Sequence, residues 1–183
     1  MGKFEWYNVF VKKDYKPDLD NDIIVVFRIT PAEGFTIEEA AGRVASESSV
    51  GTWTTLSVLP DRIWKLMGKA YEIKHLENNT YLVKVAYPVD LFEEGNIPAF
   101  LASVAGNVYG MKAVKGLRVE DIYMPESFMK YFKGPVKGIR GVREIYGIYD
   151  RPIVGTVPKP KVGFTPDELK EVVYEYLVGG MDY

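Results

Sequence analysis

The chain has 183 residues, 47% of them hydrophobic, with 23 basic and 25 acidic residues and a formal charge of −2. That apolar share supports a real core and excludes a disordered chain, and charges without a block of either sign disfavour nucleic acid or an anionic membrane as partners. Cysteine is absent, which excludes a disulfide framework, a thiol nucleophile and a thiolate metal site, and His75 is the only imidazole.

Met1 to Trp6 (MGKFEW) lacks an apolar secretory segment, and its sixth residue is not the Ser or Thr of a myristoylation signal, so a cytoplasmic location is expected. Without a secretory route, the glycosylation pattern at Asn78-Asn-Thr80 carries no weight. Glutamine is missing while Lys and Glu are abundant, a composition that points to a heat-stable source.

Asp22 to Thr30 (DIIVVFRIT) is β-branched and almost continuously apolar, which predicts a central strand. Thr36-Ile-Glu-Glu39 is a capping-box pattern, and Ile37, Ala40, Ala41, Val44 and Ala45 follow at helical spacing. Thr52 to Val58 reads as a second strand. Ala70 to His75 and Tyr81 to Ala86 flank Asn78-Asn79 as a hairpin, Ile97 to Val108 as a helix ending near Gly110, and Met111 to Met124 contains a further strand. The β-α-β-β-α-β order predicts an α+β fold over residues 1–125: a ferredoxin-like, mixed-sheet domain with its helices on one face.

Residues 126–150 are rich in Gly, Lys and aromatic side chains and read as a connector with a short helix. Residues 151–183 change character. A strand at 153–157 is followed by Lys159-Pro-Lys161, then by the capping box Thr165-Pro-Asp-Glu168 and a helix carrying Leu169, Val172, Val173, Tyr176 and Leu177 on one side. A parallel strand and its crossover helix bury their apolar faces only against more of the same sheet. This piece is therefore expected to open a larger α/β domain, and the chain to be part of a longer polypeptide.

A Ser-His-Asp triad would need His75, for which no serine partner is in prospect, so a surface histidine is the better reading. Asp18, Asp20 and Asp22 alternate like a calcium loop, but Ile23 stands where the turn demands glycine and no glutamate closes it, leaving a solvated acidic loop. Gly138 to Arg143 (GIRGVR) does not follow a strand as a phosphate cup would, and reads as a connector helix. Lys159 and Lys161 are stronger candidates, because loops leaving the C-terminal ends of parallel strands carry catalytic groups. Two ammonium groups held close also raise the cost of each other's charge. Glu47 to Thr55 (ESSVGTWTT) places a glutamate at a helix end, then a turn, hydroxyls and an indole.

Four segments resemble the large subunit of ribulose-1,5-bisphosphate carboxylase/oxygenase (RuBisCO): Glu47 to Thr55, Ala86 to Gly95 (AYPVDLFEEG), Gly106-Asn-Val-Tyr-Gly110, and Gly155 to Gly163 (GTVPKPKVG). They occur in family order between Asp22 and Tyr183. The resemblance implies an N-terminal α+β domain followed by the first strand-helix unit of a TIM (β/α)8 barrel, in homodimers or assemblies of dimers whose sites lie between subunits. It implies that Lys159 is the acid/base lysine, that Lys161 tunes its charge, and that Glu47 anchors a closing-loop lysine. Thr52 and Trp53 would hold a phosphate of ribulose bisphosphate, and Asn107 would bond substrate oxygens.

The same resemblance implies Mg2+ and an activating CO2 held as a lysine carbamate, with the carbamylated lysine and the metal-binding Asp-Glu pair beyond Tyr183 and no metal ligand in this chain. The reaction implied is addition of CO2, or of O2 in competition, to the bisphosphate, with this chain inactive alone. Val157 departs from the threonine many members carry, as do several branches with an aliphatic residue there. Likeness to the archaeal form implies no small subunit and a role in AMP or nucleotide salvage. A RuBisCO-like enolase or isomerase, and a non-catalytic folding or dimerisation module, stay open.

Overall fold

The computed structural model describes residues 6–51, 60–160 and 162–183, and the chain divides into two compact units, Met1–Phe132 and Lys133–Tyr183. In the first unit, a 3-10 turn at Trp6–Val9 precedes β1 (Asp22–Pro31), the expected central strand. Ile23, Val25, Phe27 and Ile29 point to one face of it and are fully buried. α1 (Ile37–Glu47) begins where expected, with Thr36 Oγ1 accepting from the Glu39 amide at 3.1 Å. Only this half of the capping box is seen: the Glu39 carboxylate instead lies 2.9 Å from Arg43, one turn on.

A short α2 (Asp61–Lys65) leads into β2 (Lys69–His75) and β3 (Tyr81–Pro88), the expected hairpin, which turns through Asn78 in the left-handed region at φ 51°. The strand expected at 52–58 lies outside the described residues. α3 (Ile97–Val104) is capped by Asn96, whose side chain accepts from the Ala99 amide at 2.9 Å. It stops four residues short of the expected Val108 and gives way to a 3-10 turn, Asn107–Gly110. The break is at Gly106, whose φ of −107° and ψ of −113° no helix allows. β4 (Val114–Tyr123) and a single turn, α4 (Glu126–Met129), complete the unit.

The four strands lie in the order β2-β3-β1-β4, and every paired neighbour is antiparallel. The mixed sheet expected from sequence is corrected here for the described strands. β1 and β2 do run parallel, but the hairpin inserts β3 between them, so no parallel ladder forms. Val11 makes one isolated parallel bridge to Ala70.

Ala40, Ala41, Val44 and Ala45 of α1 and Phe100 and Val104 of α3 join one buried cluster with the four inward residues of β1. Both helices therefore cover the same face, as expected. Removing a Val, Ile or Phe side chain from water contributes about 1.5–3 kcal/mol each, so this cluster sets the unit's stability. The other face is screened by pairs such as Lys84–Glu72 at 3.0 Å and Arg28–Glu120 at 2.6 Å. The acidic loop before β1 is less solvated than expected: Asp22 is 5% exposed and accepts from the Tyr15 hydroxyl at 2.6 Å and the Asp18 amide at 2.9 Å.

The second unit holds α5 (Gly138–Tyr146), the connector helix expected over GIRGVR, and α6 (Pro166–Val178). α6 has a complete capping box, with Thr165 and Glu168 each satisfying the other's backbone amide. No strand is assigned at 153–157, where one was expected. The backbone of the segment bonds to the chain's end, through Asp182 N–H to Val154 O at 2.7 Å and Thr156 N–H to Tyr183 O at 3.0 Å. A strand needs a ladder, and two bonds do not make one. None of the unit's described residues is buried, and Leu169, Val173 and Leu177 of α6 stay exposed, so this unit has no core of its own. Among the described residues, no helix is long and apolar enough to cross a membrane.

Candidate active site

Glu47 is the last residue of α1, and the two serines after it build the helix end. A helix leaves its final carbonyls without partners. Here Val44 O accepts from Ser48 N–H at 3.0 Å and Ser48 Oγ at 2.5 Å, Ala45 O accepts from Ser49 Oγ at 2.6 Å, and Ser46 O accepts from the amides of Ser49 and Gly51. Gly51 has φ +67°, a conformation that suits glycine at this turn. Ser46 and Ser48 are buried on either side, and Glu47 between them is half-buried.

Asn107 is presented by a different device. A Cβ at Gly106 would fall 2.1 Å from the Ala102 carbonyl oxygen, so the chain passes the end of α3 only with glycine there. Val108 is then fully buried, and Asn107 before it is exposed. The 3-10 turn that carries Asn107 packs beside α1. The first unit thus supplies a carboxylate and an amide from neighbouring elements on the helical face of the sheet.

Lys159 belongs to the second unit, in the loop before α6, and is exposed. The Lys159–Pro160 peptide bond is cis. Its side chain lines an open cleft of about 660 Å³ with Lys170, Val172, Glu175 and Tyr176 of α6. Thr52, Trp53 and Lys161 lie outside the described residues. Among the described residues, the side chains of Glu47, Asn107 and Lys159 take part in no hydrogen bond or ion pair.

His75 sits in the exposed hairpin with Nε2 2.8 Å from the Asn78 carbonyl oxygen, in keeping with a surface histidine. Sequence reasoning missed Tyr87, whose hydroxyl lies 2.6 Å from Ser48 Oγ, beside Glu47. The signal was present: Tyr87 alternates with Val83 and Val85 on the inward face of a strand, and a buried phenol requires a polar partner.

The sequence and geometry together place the chain in a family of enzymes. Residues 9–128 match the model of the ribulose bisphosphate carboxylase large chain N-terminal domain and residues 138–183 that of its catalytic domain, so the chain belongs to the RuBisCO large-chain family. It is 58% identical over its whole length to the ribulose bisphosphate carboxylase of Archaeoglobus fulgidus, covering 42% of that protein, and 52% identical over 97% of its length to that of Thermococcus kodakarensis, covering 40%. Among solved structures it resembles the dimeric archaeal Rubisco of Hyperthermus butylicus, with 59% identity and a TM-score of 0.80 over 96% of this chain and 41% of that one. It also resembles the octameric Rubisco of Pyrococcus horikoshii in its sulfate complex, with 46% identity and a TM-score of 0.79 over 98% of this chain and 42% of that one. The chain thus spans about two-fifths of the relatives it matches.

Proposed function

We propose that this chain forms the N-terminal part of a ribulose-1,5-bisphosphate carboxylase/oxygenase, comprising an N-terminal domain over 1–125, a connector over 126–150 and the start of the catalytic barrel at 151–183. The observation that carries the reading is the presentation of Glu47 and Asn107. Two unrelated backbone devices, a serine-capped helix end and a glycine-gated turn, each carry a polar side chain with no partner among the described residues. In a stably folded domain such groups are suited to work on something outside it.

Glu47 and Asn107, with Thr52 and Trp53, face the barrel of a second subunit in this reading. Lys159, with Lys161 beside it, serves the chain's own barrel. Lys159 polarises the substrate carbonyl and moves a proton at the reacting carbon, the task of a lysine held close to a second cation. The assembly is a homodimer or a set of dimers without small subunits, acting on ribulose bisphosphate with CO2 or O2 in nucleotide salvage in a heat-adapted cytoplasm.

Among the described residues, the family's Mg2+ and lysine carbamate find no fit. Among the described residues, no three His, Cys, Asp or Glu side chains are grouped to hold a metal ion. The test is incorporation of labelled CO2 into acid-stable product by the full-length polypeptide carrying this chain, with ribulose bisphosphate as substrate. Incorporation is expected; enolisation of the bisphosphate without it would overturn the reading.

A further inference from the structure

The end of α1 is fastened to the sheet by a buried pair of hydroxyls, Ser48 and Tyr87. Ser48 follows Glu47 directly and is fully buried; its Oγ donates to the Val44 carbonyl at 2.5 Å and lies 2.6 Å from the Tyr87 hydroxyl. A serine hydroxyl has one proton to give. With that proton on Val44 O, the phenol must be the donor, and the chain runs from Tyr87 O–H to Ser48 Oγ to Val44 C=O.

Tyr87 is a rigid origin for this chain. It is fully buried on β3 and stands opposite Ile23 of the central strand. Burial pushes its phenol well above the ordinary value, so it stays protonated and remains a donor at any pH the enzyme would meet. Gly68 lets the ring press against the helix, since a Cβ there would come 2.8 Å from Tyr87 Cε1 and 2.8 Å from the Ala45 carbonyl oxygen. Tyr87 thus fixes the last turn of α1 by contact and by hydrogen bond, at the residue next to Glu47. The Glu47 side chain itself takes part in no hydrogen bond or ion pair among the described residues, so its position follows from the backbone that Ser48 holds.

We infer that Tyr87 is a positioning residue for Glu47, acting through the Ser48 hydroxyl. This rests on the reading of Glu47 as a group offered to the active site. Misplacing a catalytic group by about 1 Å can lower turnover by about a hundredfold, so a partial loosening of the helix end should be visible in kcat.

The test uses the full-length enzyme and its variants Tyr87→Phe, Ser48→Ala, Glu47→Gln, the Tyr87→Phe/Ser48→Ala double and the Tyr87→Phe/Glu47→Gln double. It compares kcat, KM for ribulose bisphosphate and melting temperature. Tyr87→Phe keeps the ring and should lower kcat about five- to tenfold with KM nearly unchanged. Ser48→Ala should match it, and combining the two should cost no more than either, because they break one chain. In the Glu47→Gln background, Tyr87→Phe should cost nothing further. Unchanged kcat in Tyr87→Phe while Glu47→Gln is slow would overturn the positioning role and leave the site reading standing. An equal Tyr87→Phe loss with and without Glu47 would overturn it too, as would a fall in melting temperature alone. If Glu47→Gln turns over normally, the site reading and this role fall together. Should Tyr87→Phe fail to fold, Ser48→Ala, which leaves the ring packing intact, carries the same comparisons.

Discussion

Arg151 grips Asp182 with both arms of its guanidinium, Nη1 to Oδ2 and Nη2 to Oδ1, each at 2.7 Å. The same carboxylate accepts from the Val154 amide at 2.9 Å, so one side chain joins the segment between α5 and α6 to the end of the chain. Arg151, and after it the Val154 amide, hold the Asp182 carboxyl at about 2, below its ordinary 3.8.

The sign of the pH dependence follows. A depressed carboxyl stabilises the folded form in full above its unfolded value, and that stabilisation is lost as the pH falls through the folded value. The Asp182 contribution should be complete above the ordinary 3.8 and disappear as the pH drops through about 2. A carbon-detected NMR titration of the Asp182 carboxyl should show a midpoint near the lower value. Arg151→Lys, which cannot form the two-pronged contact, should move that midpoint up toward the ordinary one. A wild-type midpoint already at the ordinary value would remove Arg151 as the clasp.

Gly106 and Gly110 frame the turn that presents Asn107 and should respond in opposite ways to the same change. A Cβ on Gly106 would meet the Ala102 carbonyl oxygen at 2.1 Å, and backbone cannot yield as a flexible side chain can, whereas a Cβ on Gly110 meets nothing within 4 Å. Gly106→Ala should destabilise the first unit by about 1–3 kcal/mol. Gly110→Ala should stay within about 0.5 kcal/mol of wild type. Urea denaturation of the chain with each variant compares them, and similar midpoints for the two would show that the close approach at Ala102 is not what requires glycine.

Phe27 stands at the middle of β1 with no exposed surface, in the cluster that receives both α1 and α3. Truncating it to alanine should cost about 3–5 kcal/mol, from lost burial and the cavity left behind. A loss under about 1 kcal/mol in thermal or denaturant unfolding would mean that the helices do not rest on this strand.

β1 was legible because DIIVVFRIT is apolar at nearly every position, and the hairpin because Asn78 supplies the positive φ its turn needs. The start of α6 was equally clear, since Thr165 and Glu168 sit at the spacing a reciprocal cap requires. The pairing direction was not legible, because it depends on which strand enters between β1 and β2, and no local pattern encodes that. The early end of α3 was hidden for a related reason: Gly106 reads as a tolerable helix residue until the Ala102 carbonyl beside it is known. Glu47 and Asn107 could be named as candidates from their motifs, but the buried Tyr87–Ser48 bond joins residues 39 positions apart and appears only once the sheet has formed.

If Glu47 and Lys159 serve different subunits of one site, their defects should complement. Lys159→Ala alone should abolish turnover by the full-length enzyme, since no other group replaces its proton at the reacting carbon, and Glu47→Gln should slow it strongly. In a mixed dimer, the Glu47→Gln subunit keeps an intact barrel and the Lys159→Ala subunit keeps an intact N-terminal domain, so one site of the two regains every group. Two-fold symmetry and random pairing then give about a quarter of wild-type activity from a co-expressed mixture of the two. Carbon dioxide incorporation by the mixture measures this directly, and tagged, purified mixed dimers should reach about half of wild type. Activity no greater than the average of the two parent variants would place both residues in the same subunit's site.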